Sequence, residues 1–142
     1  MLKTLLRVFG EVFDERETYG RAIPGDDYLA RLLAKDTFIA IAALDRDEVV
    51  GGLAAYVLDK FEQDRREVYI YDLGVLETHR RRGIATGLIE ALRLIAASID
   101  AYVIFVQADL EDGPAIALYR SLGRQETAHH FDINVPSTPK SH

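Results

Sequence analysis

Cysteine is absent from this sequence of 142 residues, which excludes disulfides, thiolate catalysis and a cysteine zinc site. The four histidines include no His-x-x-x-His pair, so we expect no metal centre. No apolar run approaches the length needed to cross a bilayer, and the residues that follow Met1 lack the layout of a signal peptide. We therefore expect a cytoplasmic protein with no membrane partner.

Positively charged residues are also fewer than negatively charged ones. The chain has 17 lysines and arginines against 23 aspartates and glutamates, which gives a formal net charge of −6. Domains that bind nucleic acid are normally basic. We therefore expect no nucleic-acid partner, and a cationic substrate suits the chain better.

Length and composition indicate an ordinary globular protein. Hydrophobic residues make up 49% of the chain and charged residues 28%. The length allows one domain with a real core but not two domains of ordinary size. We predict a single domain over residues 1–133 and a frayed polar tail over residues 134–142.

The apolar spacing predicts a mixed α/β order of elements. Helical spacing indicates helices at residues 2–13, 28–33 and 114–122 and a helix of about four turns that starts near residue 84. Strands are predicted at residues 38–44, 49–58, 68–76, 102–106 and 127–133. Residues 20–27 read as a loop, with Asp26 or Asp27 capping the next helix. The nearly continuous apolar run at 102–106 predicts a buried strand.

Two strand pairings position a ligand site. Residues 38–44 and 49–58 form a plausible hairpin through the charged turn 45–48. The strands at 68–76 and 102–106 are expected to be parallel neighbours, because a helix lies between them in the sequence. Ligands in such sheets usually bind at the C-terminal ends of the strands. For the strand at 68–76, that end leads into the arginine-rich connection described next.

The connection between this strand and the helix near residue 84 has the properties of an anion cradle. Its backbone N–H groups precede the first helical hydrogen bonds, and the positive end of the helix dipole favours a phosphate. Gly83 and Ala85 allow the backbone to approach the anion, and Arg80, Arg81 and Arg82 add positive charge. A solvated basic turn or a nucleic-acid patch is the alternative interpretation.

Two motifs in this region resemble a known superfamily. The first resembles the acetyl-CoA signature (Q/R-x-x-G-x-G/A) of the GNAT superfamily of N-acetyltransferases and consists of Leu73-Gly74-Val75 followed by Arg80-x-x-Gly83-x-Ala85. The second resembles that superfamily's second motif and reads Ala115-x-x-Leu118-Tyr119-x-x-x-Gly123. The two motifs stand in the expected order with a predicted strand between them.

Further segments, which span nearly the whole chain, are similar to the type I aminoglycoside 3-N-acetyltransferases. They are Phe38-Ile39-Ala40, Gly51-Gly52-Leu53-Ala54-Ala55-Tyr56, Lys60-Phe61-Glu62-Gln63, Tyr69-Ile70-Tyr71-Asp72-Leu73, Val106-Gln107-Ala108-Asp109 and His130-Phe131-Asp132-Ile133. The resemblance implies a GNAT fold, with a central mixed β-sheet flanked by helices.

The chain also departs from the family pattern. We expect the usual first strand to be absent before the helix that begins at Leu2, which leaves the sheet edge and the contacts between subunits open. Gly74 stands where the aminoglycoside enzymes tend to have alanine, and Arg124 follows Gly123 where the superfamily often has an aromatic residue. Exposed strand edges and the family resemblance together make a homodimer plausible.

The resemblance implies that acetyl-CoA is the co-substrate and that no metal takes part. The backbone amides of the cradle would hold the pyrophosphate, and the pantetheine arm would pair with the strand before it. The expected cofactor-binding residues are Leu73, Gly74, Val75, Arg80, Arg81, Arg82, Gly83, Ile84, Ala85 and Thr86. Attack on the thioester would be direct, with no acyl-enzyme, and the Val75 amide is a candidate donor to the oxyanion.

Tyr119 and Asp109 are the catalytic residues that the resemblance implies. Tyr119 occupies the position of the superfamily's usual acid, and a phenol with a pKa of about 10 keeps its proton at neutral pH. The alternative for Tyr119 is a packing role in its helix. Asp109 is the expected proton acceptor for the amine, directly or through water, because the resemblance places it beside the reacting group.

Carboxylates and aromatic residues are the expected ligands of the acceptor. A polycationic aminoglycoside needs several acceptor oxygens, which acidic side chains supply. The expected substrate-binding residues are Tyr69, Tyr71, Asp72, Asp109, Glu111, Asp112 and Asp132. Asp72 is the second candidate for the base, although strand alternation puts it opposite Tyr69, Tyr71, Leu73 and Val75 unless a bulge intervenes.

Some of these residues have structural alternatives. Asp112 is as well explained as the cap of the helix at 114–122. Asp132 is expected near the acceptor and could reach the site of a neighbouring subunit. Paired histidines on a terminal strand, His129 and His130, are more often surface or packing residues than a catalytic base.

The function that the resemblance implies is transfer of acetyl to the 3-amino group of an aminoglycoside antibiotic, which inactivates it. Two alternatives stay open. One is an acetyltransferase for a different small amine or a protein N-terminus, and the other is a non-catalytic module that binds acyl-CoA.

Overall fold

The order of helices and strands along the chain is close to the order that the apolar spacing predicts. The computed structural model describes residues 1–13 and 24–137, which fall into two compact units, Met1–Gln107 and Ala108–His142. The described elements of the first unit are α1 (Leu2–Val12), α2 (Asp26–Leu33), β1 (Phe38–Asp45), β2 (Glu48–Asp59), β3 (Arg66–Val75), a 3₁₀ turn (Glu77–His79), α3 (Ile84–Ser98) and β4 (Ala101–Val106). The second unit contains α4 (Gly113–Leu122).

The first unit is built on a mixed four-stranded sheet with the order β1-β2-β3-β4. The first two pairs are antiparallel, and β3 and β4 are parallel. The predicted hairpin and the predicted parallel pair are therefore both confirmed. The hairpin closes through Arg46 and Asp47, whose φ angles of 51° and 71° are typical of a two-residue primed turn.

Helices cover both faces of this sheet. Leu5 and Phe9 of α1 pack with Leu29 of α2 in one core, against Ala40 and Ala54 of the sheet. The other face carries buried Leu53, Ala55, Val68 and Ile70. It is covered by α3, whose buried residues are Leu88, Ile89, Leu92 and Ala96. The fold class is the predicted one, a mixed sheet flanked by helices.

Close packing of α1 explains why Gly74 departs from the family pattern. A Cβ atom at Gly74 would lie 2.8 Å from Cγ1 of Val12. At the neighbouring Gly52, a Cβ atom would lie 2.1 Å from Cδ1 of Leu5. Both separations are shorter than carbon atoms tolerate. Glycine at both positions lets α1 lie directly on β2 and β3.

A β-bulge at Tyr71 changes which residues of β3 share a face. Ala54 pairs with Asp72 and Ala55 with Ile70, so Tyr71 is the extra residue of β3. The bulge brings Asp72 onto the face of Tyr69 and moves Leu73 and Val75 to the opposite one. The simple alternation, in which Asp72 opposes Tyr69, is therefore wrong, and the bulge named as its exception is present.

Three local predictions differ from the structure. The N-cap of α2 is Gly25, so Asp26 and Asp27 lie in the first turn and neither caps the helix. Asp26 instead forms an ion pair with Lys3 at 2.8 Å. The strand β4 is not fully buried, because it pairs only with β3 in the described sheet and leaves Tyr102 and Val103 exposed.

The predicted last strand is the third difference. Residues 127–133 form neither a helix nor a strand and are exposed. A strand needs a hydrogen-bonded neighbour, and the alternating pattern alone does not supply one. Residues 134–137 of the predicted tail are also irregular and exposed. Residues 138–142 lie outside the described residues, as do residues 20–23 of the predicted loop at 20–27. No helix in the described part of the chain is both long and apolar enough to span a membrane.

Candidate functional site

Among the described residues, no strand pairs with one edge of β3 near its C-terminal end. The parallel ladder between β3 and β4 stops at Ile70 and Val106, whereas β3 continues to Val75. The Leu76 N–H donates to the Val50 carbonyl of β2 at 2.8 Å. Because strand residues alternate in direction, the amides of Leu73 and Val75 point to the other edge. This is the strand edge that the sequence predicts for an extended ligand.

The arginine-rich connection follows directly and joins β3 to α3, which starts at Ile84, as the sequence predicts. After the 3₁₀ turn, the backbone reverses through Arg81 and Gly83, whose φ angles are 66° and 75°. Gly83 is the N-cap of α3, and the Gly87 N–H donates to the Gly83 carbonyl at 2.9 Å. The amides of residues 84–86 precede this bond in the helix and point out of its N-terminus. We call residues 80–86 the cradle.

The three cradle arginines are not equivalent. Arg80 Nε donates to the Val75 carbonyl at 3.2 Å, which ties the cradle to the end of β3. Arg82 lies 3.8 Å from a carboxylate oxygen of Asp45, and its side chain is 61% exposed. Arg81 is exposed. Arg80 therefore has a structural bond as well as its charge, and Arg81 and Arg82 are the more accessible guanidinium groups.

An aromatic cluster lies on the Asp72 face of the sheet. The Tyr69 ring stacks on Phe105 at 4.6 Å between centroids, and its hydroxyl donates to Gln107 Oε1 at 2.9 Å. The Tyr71 ring meets Tyr69 and Tyr56 edge to face, at 5.9 Å and 5.8 Å. Tyr71 is 62% exposed. The cluster can therefore contact a ligand through aromatic surface and through phenol hydroxyl groups.

The negative charge of Asp72 affects the pKa values of two phenols in this cluster. Burial raises the pKa of Tyr69, and the neighbouring Tyr71 and Asp72 raise it further. Burial also raises the pKa of Tyr56, followed by the Asp72 carboxylate. Both phenols therefore keep their protons at neutral pH and can donate hydrogen bonds. Asp72 provides negative charge beside them.

Three members of the cluster, Tyr56, Phe105 and Gln107, were not predicted as site residues. Tyr56 pairs with Tyr69 across β2 and β3, and Gln107 follows the last residue of β4. Both lie in segments that resemble the aminoglycoside enzymes, which was the available signal. The register between β2 and β3 brings Tyr56 to Tyr69, and the end of β4 places Gln107 beside it. Composition predicts neither the register nor the end of the strand.

In the second unit, the predicted acidic residues surround the start of α4. Asp109, Leu110, Glu111 and Asp112 line an open depression. Asp112 accepts a hydrogen bond from the Ala115 N–H at 3.2 Å and is the N-cap of α4. The structural alternative for Asp112 is therefore confirmed. Its carboxylate stabilises the helix whatever else it contacts.

Tyr119 and Asp132 are the other predicted site residues of the second unit. Tyr119 lies on α4 and is partly buried. Burial raises the pKa of its phenol, and the negative charge of Asp112 raises it further. Asp132 forms an ion pair with His130 at 2.8 Å, and its side chain is 90% exposed. The predicted residues thus form two groups, one in each unit.

Comparisons with known proteins show which family and which solved structures the chain is similar to. A model of the acetyltransferase (GNAT) family matches residues 4–123. An aminoglycoside acetyltransferase from an uncultured soil metagenomic sample is 59% identical, with a TM-score of 0.93 over 95% of this chain and 90% of that chain. A second such enzyme from an uncultured soil metagenomic sample, in complex with sisomicin, is 32% identical, with a TM-score of 0.87 over 95% and 88% of the two chains.

A curated relative is more distant. N-acetyltransferase family 8 member 2 of Rattus norvegicus is 31% identical over 86 residues, which are 59% of this chain and 37% of that protein. The match therefore spans little more than a third of that relative's length.

Proposed function

Because the chain belongs to the acetyltransferase (GNAT) family, we propose that it transfers acetyl from acetyl-CoA to the 3-amino group of an aminoglycoside. The observation that carries the proposal is the free edge of β3 leading directly into the cradle. An extended arm ending in a pyrophosphate matches this arrangement in shape and charge. The two aminoglycoside acetyltransferases similar to this chain support the choice of acceptor.

The proposed coenzyme contacts use the backbone more than side chains. The pantetheine arm pairs with Leu73 and Val75, and the amides of the cradle hold the pyrophosphate with Arg81 and Arg82 beside it. The Val75 amide donates to the oxyanion as the tetrahedral intermediate forms. Acetyl transfer itself needs no residue that forms a covalent bond, which agrees with a chain that has no cysteine.

The proposed acid and base are Tyr119 and Asp109. The attacking amine must lose a proton, which Asp109 accepts directly or through water, and the thiolate leaving group gains one from Tyr119. The raised pKa of Tyr119 supports its role, because the phenol stays protonated at neutral pH. Asp72 is the second candidate for the base, and its place beside Tyr69 supports a role at the acceptor.

Recognition of the acceptor is assigned to carboxylates and rings. In this proposal the ammonium groups of the aminoglycoside bind Asp72, Glu111 and Asp112, and its sugar rings lie against Tyr69 and Tyr71. Carboxylates and phenols together match a ligand that has several positive charges and many hydroxyl groups. This arrangement favours a polycationic aminoglycoside over a neutral acceptor.

A thiol-release assay with acetyl-CoA and a panel of amines tests the proposal. We expect turnover with gentamicin and sisomicin but little with spermidine or peptides, and two-dimensional NMR of the product should place the acetyl group on the 3-amine. Acetylation at another amine would contradict the 3-position alone. Turnover only with spermidine or peptides would favour the alternative acceptors, and CoA binding without any turnover would favour a non-catalytic module.

Separate substitution of the two candidate bases tests the mechanism. Asp109→Asn is expected to lower kcat about a hundredfold or more with little change in acetyl-CoA affinity, because only proton acceptance is removed. Asp72→Asn is the matched control and should act mainly on the KM of the acceptor. The reverse pattern would assign the base to Asp72.

We also propose that the protein is a cytoplasmic homodimer. The irregular C-terminal segment exposes Phe131, Ile133 and Val135, each at least 80% accessible. Alternate apolar residues of this kind suit a second copy, and Asp132 between them could then reach the neighbouring site. Sedimentation equilibrium of the whole chain tests this. We expect the wild type to be a dimer and the substitution of Phe131, Ile133 and Val135 by serine to convert it to a monomer. A monomeric wild type would contradict the proposal.

A further inference from the structure

A carboxylate outside the cradle contacts two parts of the connection that contains it. Asp45 is the last residue of β1, where the hairpin turns through Arg46 and Asp47. One of its oxygens lies 3.0 Å from His79 Nε2 and 3.8 Å from Arg82 Nη1. The β1–β2 hairpin is thereby connected both to the 3₁₀ turn before the cradle and to the cradle itself.

The His79 ring is held at both nitrogens. Its Nδ1 lies 2.8 Å from the Thr78 hydroxyl, and its Nε2 faces Asp45. With the proton on Nε2, the ring donates to the carboxylate and accepts from the hydroxyl, so both contacts are satisfied in the neutral tautomer. The His79 N–H also donates to the Leu76 carbonyl at 2.9 Å. The side chain is only 20% exposed, so this ring is a fixed point in the connection.

A fixed point matters because the connection contains little regular secondary structure. Residues 76–83 include only one 3₁₀ turn, and two of them adopt left-handed backbone conformations. A loop that must be ordered when its ligand arrives loses affinity to that ordering. The end of β1, by contrast, is fixed by the ladder that pairs Asp45 with Glu48. Through its contacts with His79 and Arg82, Asp45 can restrict the conformations of the cradle.

We propose that Asp45 and His79 are positioning residues for coenzyme binding. They hold the turn before the cradle in its binding conformation, and Asp45 keeps the Arg82 guanidinium at the cradle until the pyrophosphate takes it. Neither residue contacts the reacting atoms. The proposal rests on the proposed function, because it assumes that CoA is the ligand of the cradle.

The opposite effect is also physically possible, which makes the experiment decisive. A carboxylate close to an anion site repels the anion, so removal of Asp45 would tighten CoA binding if charge were its main influence. If positioning dominates, removal weakens binding even though one negative charge is lost. Since partly exposed ion pairs add little to stability, thermal unfolding should change little in either case.

Calorimetric titration of the full chain with CoA measures the effect. We expect Asp45→Ala and His79→Ala each to weaken CoA binding about tenfold, the loss of one well-placed hydrogen bond. The double variant should be about as weak as either single variant, because the two residues act through one contact. With saturating acceptor, KM for acetyl-CoA should rise in parallel while kcat changes less than about twofold.

Two conservative variants complete the design. In Asp45→Asn, the amide oxygen can still accept from His79, so CoA affinity should return to within about threefold of wild type. Asp47→Asn removes a charge from the same turn without touching His79 and should leave affinity unchanged. If Asp45→Ala does not fold, His79→Ala tests the same contact from the other side.

The outcomes separate this proposal from the proposed function. Unchanged or tighter CoA binding in Asp45→Ala and His79→Ala would overturn the positioning role, as would strictly additive effects in the double variant. A wild-type protein that does not bind CoA would overturn the proposed function and the positioning role together. An equal loss of affinity in Asp47→Asn would show that the effect does not depend on the contact with His79 and would also reject the proposal.

Discussion

At Gly83 the backbone has a φ of 75°, and a Cβ atom built there would meet nothing within 4 Å. The constraint on this residue is therefore backbone conformation and charge rather than space. Gly83→Asp should both strain the left-handed backbone and place a carboxylate where the pyrophosphate is proposed to bind. We expect CoA affinity to fall at least about a hundredfold, measured by calorimetry.

Gly87, one turn along α3, is the matched control. It also has open space around its Cα, but its backbone is helical. Gly87→Ala should therefore leave CoA binding unchanged and raise the free energy of unfolding by about 0.5–1 kcal/mol. Wild-type CoA affinity in Gly83→Asp would refute the phosphate site in the cradle.

The second prediction at this scale concerns the proton on Tyr119. Burial and the Asp112 charge both raise the pKa of this phenol. Its contribution to stability is therefore fully present below the unfolded value of about 10 and is lost as the pH rises through the folded value. Asp112→Asn should lower the Tyr119 pKa, because it removes a negative charge while asparagine still caps α4.

Absorbance titration of tyrosinate, with Tyr119→Phe as the reference that assigns the signal, measures this pKa. If Tyr119 is the acid, Tyr119→Phe should also lower kcat about a hundredfold with little change in acetyl-CoA affinity. Wild-type turnover in Tyr119→Phe would leave the phenol a packing role. An unchanged or higher Tyr119 pKa in Asp112→Asn would show that Asp112 does not influence it.

Individual residues also show where sequence reasoning stops. Gly83 and the capping alternative for Asp112 were predictable, because glycine at a turn and a carboxylate before a helix are local features. The face of Asp72 was not, because the bulge at Tyr71 is set by pairing with β2. The contacts of Asp45 with His79 and Arg82 join residues more than 30 positions apart and leave no local pattern.

At the scale of elements, the β1–β2 hairpin carries removable strain. Arg46 and Asp47 both have positive φ angles, which cost free energy for residues with a Cβ atom. Replacement with Asn-Gly, the pair that such turns prefer, should raise the free energy of unfolding by about 1 kcal/mol. Urea unfolding measures this, and CoA affinity serves as the control because Asp45 is unchanged. A less stable variant would show that Arg46 or Asp47 makes contacts worth more than the strain.

The positions of helices and strands along the chain were predicted better than the neighbours that each strand has in the sheet. Apolar spacing located α1, α3 and both strands of the hairpin to within a few residues, because each buries one face or stripe against the core. The same spacing failed for residues 127–133, where alternation is present but no neighbouring strand pairs with it among the described residues. It also overestimated the burial of β4, since position in the sheet and not composition determines how many sides are covered.

At the scale of the whole molecule, the net charge of −6 should assist a polycationic acceptor. A negative protein raises the local concentration of positive ligands, and salt screens this attraction. We expect the KM for gentamicin to rise about tenfold between about 0.05 M and about 0.5 M sodium chloride, with kcat little changed. Initial rates at saturating acetyl-CoA measure both constants.

Charge variants distinguish the field of the whole molecule from contacts with the acceptor. Glu111→Gln removes one charge from a proposed acceptor residue, whereas Glu48→Gln removes one from the hairpin, where it is exposed and assigned no ligand. If only total charge matters, both variants should flatten the salt dependence of KM equally. We expect Glu111→Gln to raise KM at low salt and to flatten the curve more, because its carboxylate is proposed to contact the polyamine and a single distant charge is largely screened. Glucosamine, with one amine, should show a much weaker salt dependence of KM. An equal salt dependence for glucosamine and gentamicin would mean that salt acts on the enzyme and not on its attraction for the acceptor.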